Sequence, residues 1–162
     1  MDAFYYWKDH DADMKAGRIG HFRSKAEKVK ELAEGYPDYI WVFKTPPGKK
    51  GEAQLLARLK WSDTTVVPFK REPDTAYILY DPNARGSVRY TNSASDTALR
   101  ATKDWLARNF PKMAKANFQG TIAQEALRGR ELEELNAIAR TLASEPFMQA
   151  SLELEKQQQP AA

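Results

Sequence analysis

The sequence predicts an α+β domain, a curved and mostly antiparallel sheet or small barrel with helices packed outside it and a helical C-terminal third. Three observations lead there. Tyr39 to Trp61 reads as a β-hairpin, with β-branched and aromatic residues to Thr45, turn chemistry in Pro46-Pro47-Gly48-Lys49-Lys50-Gly51, and then apolar and polar residues in alternation. Both faces of that hairpin carry apolar weight, so it belongs in the middle of a sheet that is covered on both sides. The second half of the chain changes period: Leu99, Thr102, Leu106 and Phe110, and later Leu132, Leu135, Ile138, Ala139 and Leu142, recur at helical spacing.

Taken in order, Phe4-Tyr5-Tyr6-Trp7 is the first strand, and Lys8 to Lys15 is charged and turn-like. Gly17 to Arg23 is a second strand. Ser24-Lys25-Ala26-Glu27 has capping-box spacing ahead of a helix that carries Val29, Leu32 and Ala33 and stops at Gly35-Tyr36-Pro37. In the hairpin, pairing Thr45 with Glu52 puts Ile40 and Val42 on one face with Ala53, Leu55, Ala57, Leu59 and Trp61. Tyr39, Trp41 and Phe43 then share the other face with Leu56, Arg58 and Lys60, and a one-residue slip would exchange the aromatic set.

Val66-Val67, Tyr77 to Tyr80 and Ser87 to Tyr90 are further strand candidates, the last two separated by the turn Asp81-Pro82-Asn83-Ala84-Arg85-Gly86. Asp96 to Phe110 is a helix ended by Pro111. Thr121-Ile122-Ala123-Gln124 offers another capping box, Arg130 to Leu142 is a helix, and Ser144-Glu145-Pro146-Phe147 reads as a further helix start. Residues 1–155 are expected to form one domain, and residues 156–162 a polar, disordered tail.

Composition narrows the chemistry. The 162 residues include no cysteine, which excludes disulfides, thiolate metal sites and a Cys nucleophile, and fits a reducing, cytoplasmic setting. No leader-like segment and no long apolar run points to a membrane partner. The net charge is +3, yet Lys44, Lys49, Lys50, Arg58, Lys60, Lys70 and Arg71 face only Glu52 and Asp63 between Trp41 and Arg71. A basic field of that kind favours polyanions, and its ordinary alternative is a solvated edge that keeps a hairpin from aggregating.

Catalytic motifs are absent: neither His10 nor His21 sits in a Gly-x-Ser-x-Gly, His-Glu-x-x-His or phosphate-loop context. Asp9, Asp11 and Asp13 alternate like the opening of a calcium loop, but Met14 stands where glycine is required and Gly20 where a bidentate glutamate is required. No metal or cofactor site follows. The more informative pattern is aromatic residues interleaved with basic and amide ones, because aromatic faces stack unpaired bases while cations hold the backbone. The candidate base-binding residues are Trp7, Trp41, Trp61, Arg18, His21 and Asn117, and the candidate phosphate-binding residues are Lys44, Lys49, Lys50, Arg58 and Lys60. The competing reading of each aromatic is plain core.

The strand ending Tyr5-Tyr6-Trp7, the glycine-preceded segment Gly17 to Arg23, and the strand pair Tyr39 to Trp61 with its basic turn resemble the PUA-like superfamily. Within it they are most similar to the EVE-like branch, related to YTH and ASCH domains. That branch's Gly-Asp pair appears here as Gly17-Arg18. The resemblance implies recognition of a modified or flipped base in a pocket without catalysis, with Trp7 as the first-strand aromatic and Trp41 as a cage wall. The leading reading is therefore a nucleic-acid-binding module for DNA or RNA. Two others stand beside it: an interaction or inhibitor domain that meets a protein partner through its C-terminal helices, and a metal-dependent enzyme using His21 with Asp9, Asp11 or Asp13.

Overall fold

The computed structural model of the chain describes residues 1–118 and 123–148. Among them are, in order, β1 (Asp2–Tyr6), α1 (His10–Lys15), β2 (His21–Ser24), α2 (Ala26–Glu34), β3 (Tyr39–Lys44), β4 (Gln54–Trp61), β5 (Ala76–Asp81), β6 (Val88–Tyr90), α3 (Asp96–Asn109), α4 (Pro111–Lys115), β7 (Gln124–Leu127), α5 (Gly129–Arg140) and β8 (Ser144–Pro146). The sheet runs β2-β5-β4-β3-β1-β7, with β6 on β4 and β8 on β6. Every pair is antiparallel except β1 with β3, which is parallel.

The sheet curls into a mixed half-barrel. Its end strands β2 and β7 do not pair by backbone among the described residues, yet the Ser24 hydroxyl on β2 reaches the Gln124 amide oxygen on β7. Both faces are covered, as an apolar two-sided hairpin requires. One core gathers Ala3, Ile40, Val42, Leu59 and Trp61 with Phe22 of β2, Leu32 of α2, and Ile78 and Tyr80 of β5. The opposite core gathers Phe4, Trp41 and Phe43 with Trp105 and Leu106 of α3, Met113 of α4 and Leu135 of α5. There Phe4 stacks on Phe43 at 4.5 Å between ring centroids and Phe43 on Trp105 at 5.8 Å, while the Trp105 indole N–H donates to the Glu131 carbonyl at 2.9 Å, tying α3 to α5.

The hairpin register departs from expectation. Ile40 pairs with Leu59 and Val42 with Ala57, but Phe43 pairs with Leu55, so a bulge leaves Leu56 as the extra residue on β4. Its effect is to switch faces: Ala57, Leu59 and Trp61 join Leu56 in the first core, whereas Ala53 and Leu55 pack with Trp41 and Phe43 in the second. An unbroken alternation would have held all five on one side.

Other expectations need correction. The C-terminal third is not purely helical, because β7 and β8 add strands to the sheet and Ser144 to Pro146 pairs with β6 instead of starting a helix. The segment Lys8 to Lys15 holds a short helix, Val66-Val67 forms no strand, and β6 pairs with β4 instead of closing a hairpin with β5. Pro111 ends α3 and also begins α4, where its missing N–H costs nothing. The apolar stripe of α5 packs into the second core. Among the described residues no helix is long and apolar enough to cross a membrane. Thr121 and Ile122 of the expected capping box, and the tail, lie outside the described residues.

Candidate nucleic-acid interface

Parallel pairing of β1 and β3 brings their carboxyl ends to the same edge, and the Trp7 backbone N–H extends the pair by donating to the Phe43 carbonyl at 2.8 Å. Beyond Tyr6 the chain runs through Trp7 into α1, and beyond Lys44 it enters the basic loop that leads to β4. Loops leaving the carboxyl ends of parallel strands make crevices. Here they form four concavities that share walls.

The first, about 160 Å³, has Tyr5, Trp7 and Phe22 as aromatic lining and Asp13, Arg18, His21 and Arg23 as polar lining. The second shares Trp7, Lys8 and Asp9 with it and adds His10, Asp11, Lys44 and Thr45. The third shares Tyr6 and Thr45 with the second and adds Lys49, Lys50, Asn117 and Phe118. The fourth shares Lys49 and Lys50 with the third and adds Arg100 and Lys103 from α3, together with Asp96, 3.4 Å from Lys49, and Glu52, 3.5 Å from Lys103. The result is a groove with aromatic residues toward one end and a basic concentration at the other.

The side chains are held by specific contacts. The Asp13 carboxylate accepts from the Trp7 indole N–H at 2.7 Å and from Arg18 at 3.1 Å, which locks α1 against β1. The His21 ring stacks on Phe69 at 3.7 Å, and burial lowers its pKa from the ordinary 6.5. The Tyr5 hydroxyl lies 3.4 Å from the Arg23 carbonyl, and burial raises its pKa. Tyr6 shares a 2.5 Å hydrogen bond with Thr45 and stacks on Phe118 at 4.7 Å. Asn117 and Phe118 are consecutive residues with φ of 52° and 59°, an arrangement that non-glycine residues adopt only under local constraint.

In the middle of the groove, His10 Nδ1 lies 2.8 Å from Asp11 Oδ1 and Lys44 Nζ lies 3.5 Å from the same oxygen. The His10 hydrogen bond, followed by the Lys44 charge, lowers the Asp11 pKa, while burial lowers that of His10. The His10 ring stands edge-on to Trp7 at 4.8 Å.

The residues expected at a base pocket are only partly brought together. Trp7, Arg18 and His21 meet in the first concavity, and Asn117 lies in the third with Lys49 and Lys50. Trp41 does not join them: it is 1 % exposed in the second core, and its indole N–H donates to the buried Asp2 carboxylate at 2.8 Å. Alternation along β3 turns it toward α3, away from Trp7. Trp61 is packed in the first core, with its indole N–H on Asp63 at 3.1 Å. The three tryptophans therefore form no common cage.

The phosphate set divides as well. Lys44, Lys49 and Lys50 line the groove, whereas the Arg58 guanidinium and the Lys60 ammonium sit over the Tyr39 ring at 4.5 and 5.1 Å, at the far end of the hairpin. Arg58 also donates to the Gly86 carbonyl. Asp9 and Asp13 share the first concavity with His21, but among the described residues no group of three or more His, Asp or Glu is placed to hold a metal ion. Sequence reasoning placed Tyr6 and Arg23 in the interleaved aromatic and basic pattern but missed Arg100, Lys103 and Phe118 as groove residues. For Arg100 and Lys103 a signal existed, since both fall on the polar side of the helix that buries Leu99 and Thr102.

Comparison with protein-family models, with curated proteins and with solved structures found no match.

Proposed function

We propose that the protein is a nucleic-acid-binding module whose groove at the carboxyl edge of β1 and β3 takes a single strand. The observation that carries the reading is the continuity of the four concavities. Aromatic lining at Tyr5, Trp7 and Phe22 is followed by cations at Lys44, Lys49, Lys50, Arg100 and Lys103. An unpaired strand needs that combination, with faces for the bases and a positive track for the backbone. A duplex would instead need an element that fits a groove of the nucleic acid, such as a protruding helix or ribbon.

Within this reading the first concavity accepts one flipped base, modified or not. Its edge meets Arg18 as a donor and Asp13 as an acceptor, and its face meets Tyr5, the one of the three lining aromatics that is not buried. Trp7 contributes as floor; at 2 % exposure it is not an open stacking platform. The modified-base specificity of an EVE-like pocket would require this cleft alone, without Trp41.

The test is fluorescence anisotropy of a labelled single-stranded oligonucleotide across a salt series. Binding should weaken with salt, and Lys49→Ala/Lys50→Ala should weaken it for every sequence while reducing the log–log slope by about 0.7 per lost contact. Affinity equal to that of the parent in the double variant, or no binding by the parent at low salt, would refute the proposal.

A further inference from the structure

Resting on that reading, we infer that the middle of the groove cleaves RNA without a metal ion, with His10 as general base and Lys44 as the cation that stabilises the reacting phosphate. Nothing in the binding proposal needs His10, yet the fold positions it on two sides. Asp11 Oδ1 holds its Nδ1 at 2.8 Å, and the Trp7 ring meets it edge-on at 4.8 Å. Its Nε2 has no hydrogen-bond partner among the described residues, and the side chain lines the groove while remaining 18 % exposed.

A carboxylate that orients one imidazole nitrogen leaves the other as the basic one, the arrangement that sets up general-base catalysis. Asp11 is then a positioning residue. Lys44, 15 % exposed, reaches the same Asp11 oxygen, so the imidazole and the ammonium are tethered to one point. Burial favours neutral His10 near neutral pH, the form a base needs.

The charge layout suits the step. Lys8 and Lys44 at this point are balanced by Asp9 and Asp11, and Arg18 and Arg23 in the first concavity are paired with Asp13 and Glu72, whereas on the other side Lys49, Lys50, Arg100 and Lys103 outnumber Glu52 and Asp96. A strand gripped on that more basic side presents its next phosphodiester to a centre that does not over-bind it in the ground state. The ribose 2′-oxygen attacks the adjacent phosphorus as His10 Nε2 takes its proton. The O2′–P bond forms and the P–O5′ bond breaks, Lys44 compensates charge on the non-bridging oxygens, and the departing 5′-oxygen takes a proton from water. The products are a 2′,3′-cyclic phosphate and a 5′-hydroxyl. The step needs a 2′-hydroxyl, so DNA is not cut.

The experiment incubates excess full-length protein with end-labelled single-stranded RNA in EDTA, so that a single-turnover rate is read at saturation. In parallel, binding of a 2′-O-methyl oligonucleotide of the same sequence is measured. Expected are fragments ending in 2′,3′-cyclic phosphate, no cleavage of the DNA or 2′-O-methyl strands, and a rate reduced at least ~100-fold in His10→Gln and on the order of 100-fold in Lys44→Ala. Each variant is first shown by circular dichroism to melt like the parent. Parent protein that binds the 2′-O-methyl strand but leaves RNA intact overturns the cleavage inference and leaves the binding proposal standing. Absence of binding overturns both. Cleavage that persists at the parental rate in His10→Gln removes His10 from the chemistry and overturns the inference.

Discussion

Replacing Trp41 by alanine should damage folding and leave the groove's chemistry out of the matter. The indole is 1 % exposed among Phe4, Phe43, Trp105 and neighbours, so truncation opens a cavity that costs ~3–5 kcal/mol. The Asp2 carboxylate, buried at 6 % exposure, also loses its 2.8 Å indole donor and among the described residues keeps the Tyr39 backbone N–H at 3.2 Å, a further cost of ~1–3 kcal/mol. Against a total stability of ~5–15 kcal/mol this is a severe change. At ~2–4 °C per kcal/mol for a chain of this size, melting should fall by ~8–32 °C. Trp41→Phe separates the parts: it keeps most of the ring and loses the N–H, so its cost should be ~1–3 kcal/mol. Urea denaturation followed by circular dichroism gives both values, and anisotropy on the phenylalanine variant should give the parental oligonucleotide affinity. An alanine variant within ~1 kcal/mol of the parent, or a phenylalanine variant that folds normally and no longer binds, would refute the assignment of Trp41 to the core.

Two further outcomes follow from features outside the groove and from its histidines. A Cβ at Gly86 would lie 2.7 Å from the Tyr39 hydroxyl, on a ring held by Arg58 and Lys60, so Gly86→Ala should cost ~1–3 kcal/mol in urea denaturation; a loss under ~0.5 kcal/mol would mean the ring swings aside freely. Burial lowers the pKa of both His10 and His21 from 6.5, so the unfolded chain binds more protons as pH falls and stability should decline below about pH 6.5. In the double variant His10→Gln/His21→Gln that decline should be smaller when unfolding is measured across about pH 4 to 8, and an unchanged profile would assign it to other groups.

Much of the fold was legible because its strongest signals are local. The aromatic and β-branched runs of β1, β3 and β5 and the helical spacing of α3 and α5 each declare themselves within one segment, and the need to cover the hairpin on both faces follows from the apolar weight of Trp41 and Ile40 alike. What was missed depends on remote partners. Ser144-Glu145-Pro146 has little strand propensity of its own and becomes β8 through pairing with β6. The short α1 buries no residue, so no apolar stripe announced it; it is held instead by Asp13 accepting from Trp7. The bulge had a signal, since Leu56 is apolar where Gln54 and Arg58 on either side are polar, and an apolar residue in a polar phase marks a change of face. For the groove, residue types were readable but their grouping was not. Only the parallel registration of β1 with β3 brings Trp7 and Lys44 to one edge, and that registration cannot be computed from either strand alone.

The position of β1 has a consequence for how the molecule is made. This strand is paired on one side by β3 and on the other by β7, where Tyr5 lies opposite Gln124. At translation rates of roughly 5–20 residues per second, the ~120 residues between those partners take on the order of 6 to 24 s to synthesise. In that interval β3 can dock on β1, but the outer edge of β1 stays open and Phe4 lacks Trp105, the ring that later covers it. A nascent chain thus carries an unsatisfied strand edge beside exposed aromatic surface until β7 has been made, the kind of segment that holdase chaperones retain. Slowing translation between the codons for Lys44 and Gln124 should lengthen that vulnerable period, which makes soluble yield sensitive to codon choice in a region whose amino acids are unchanged.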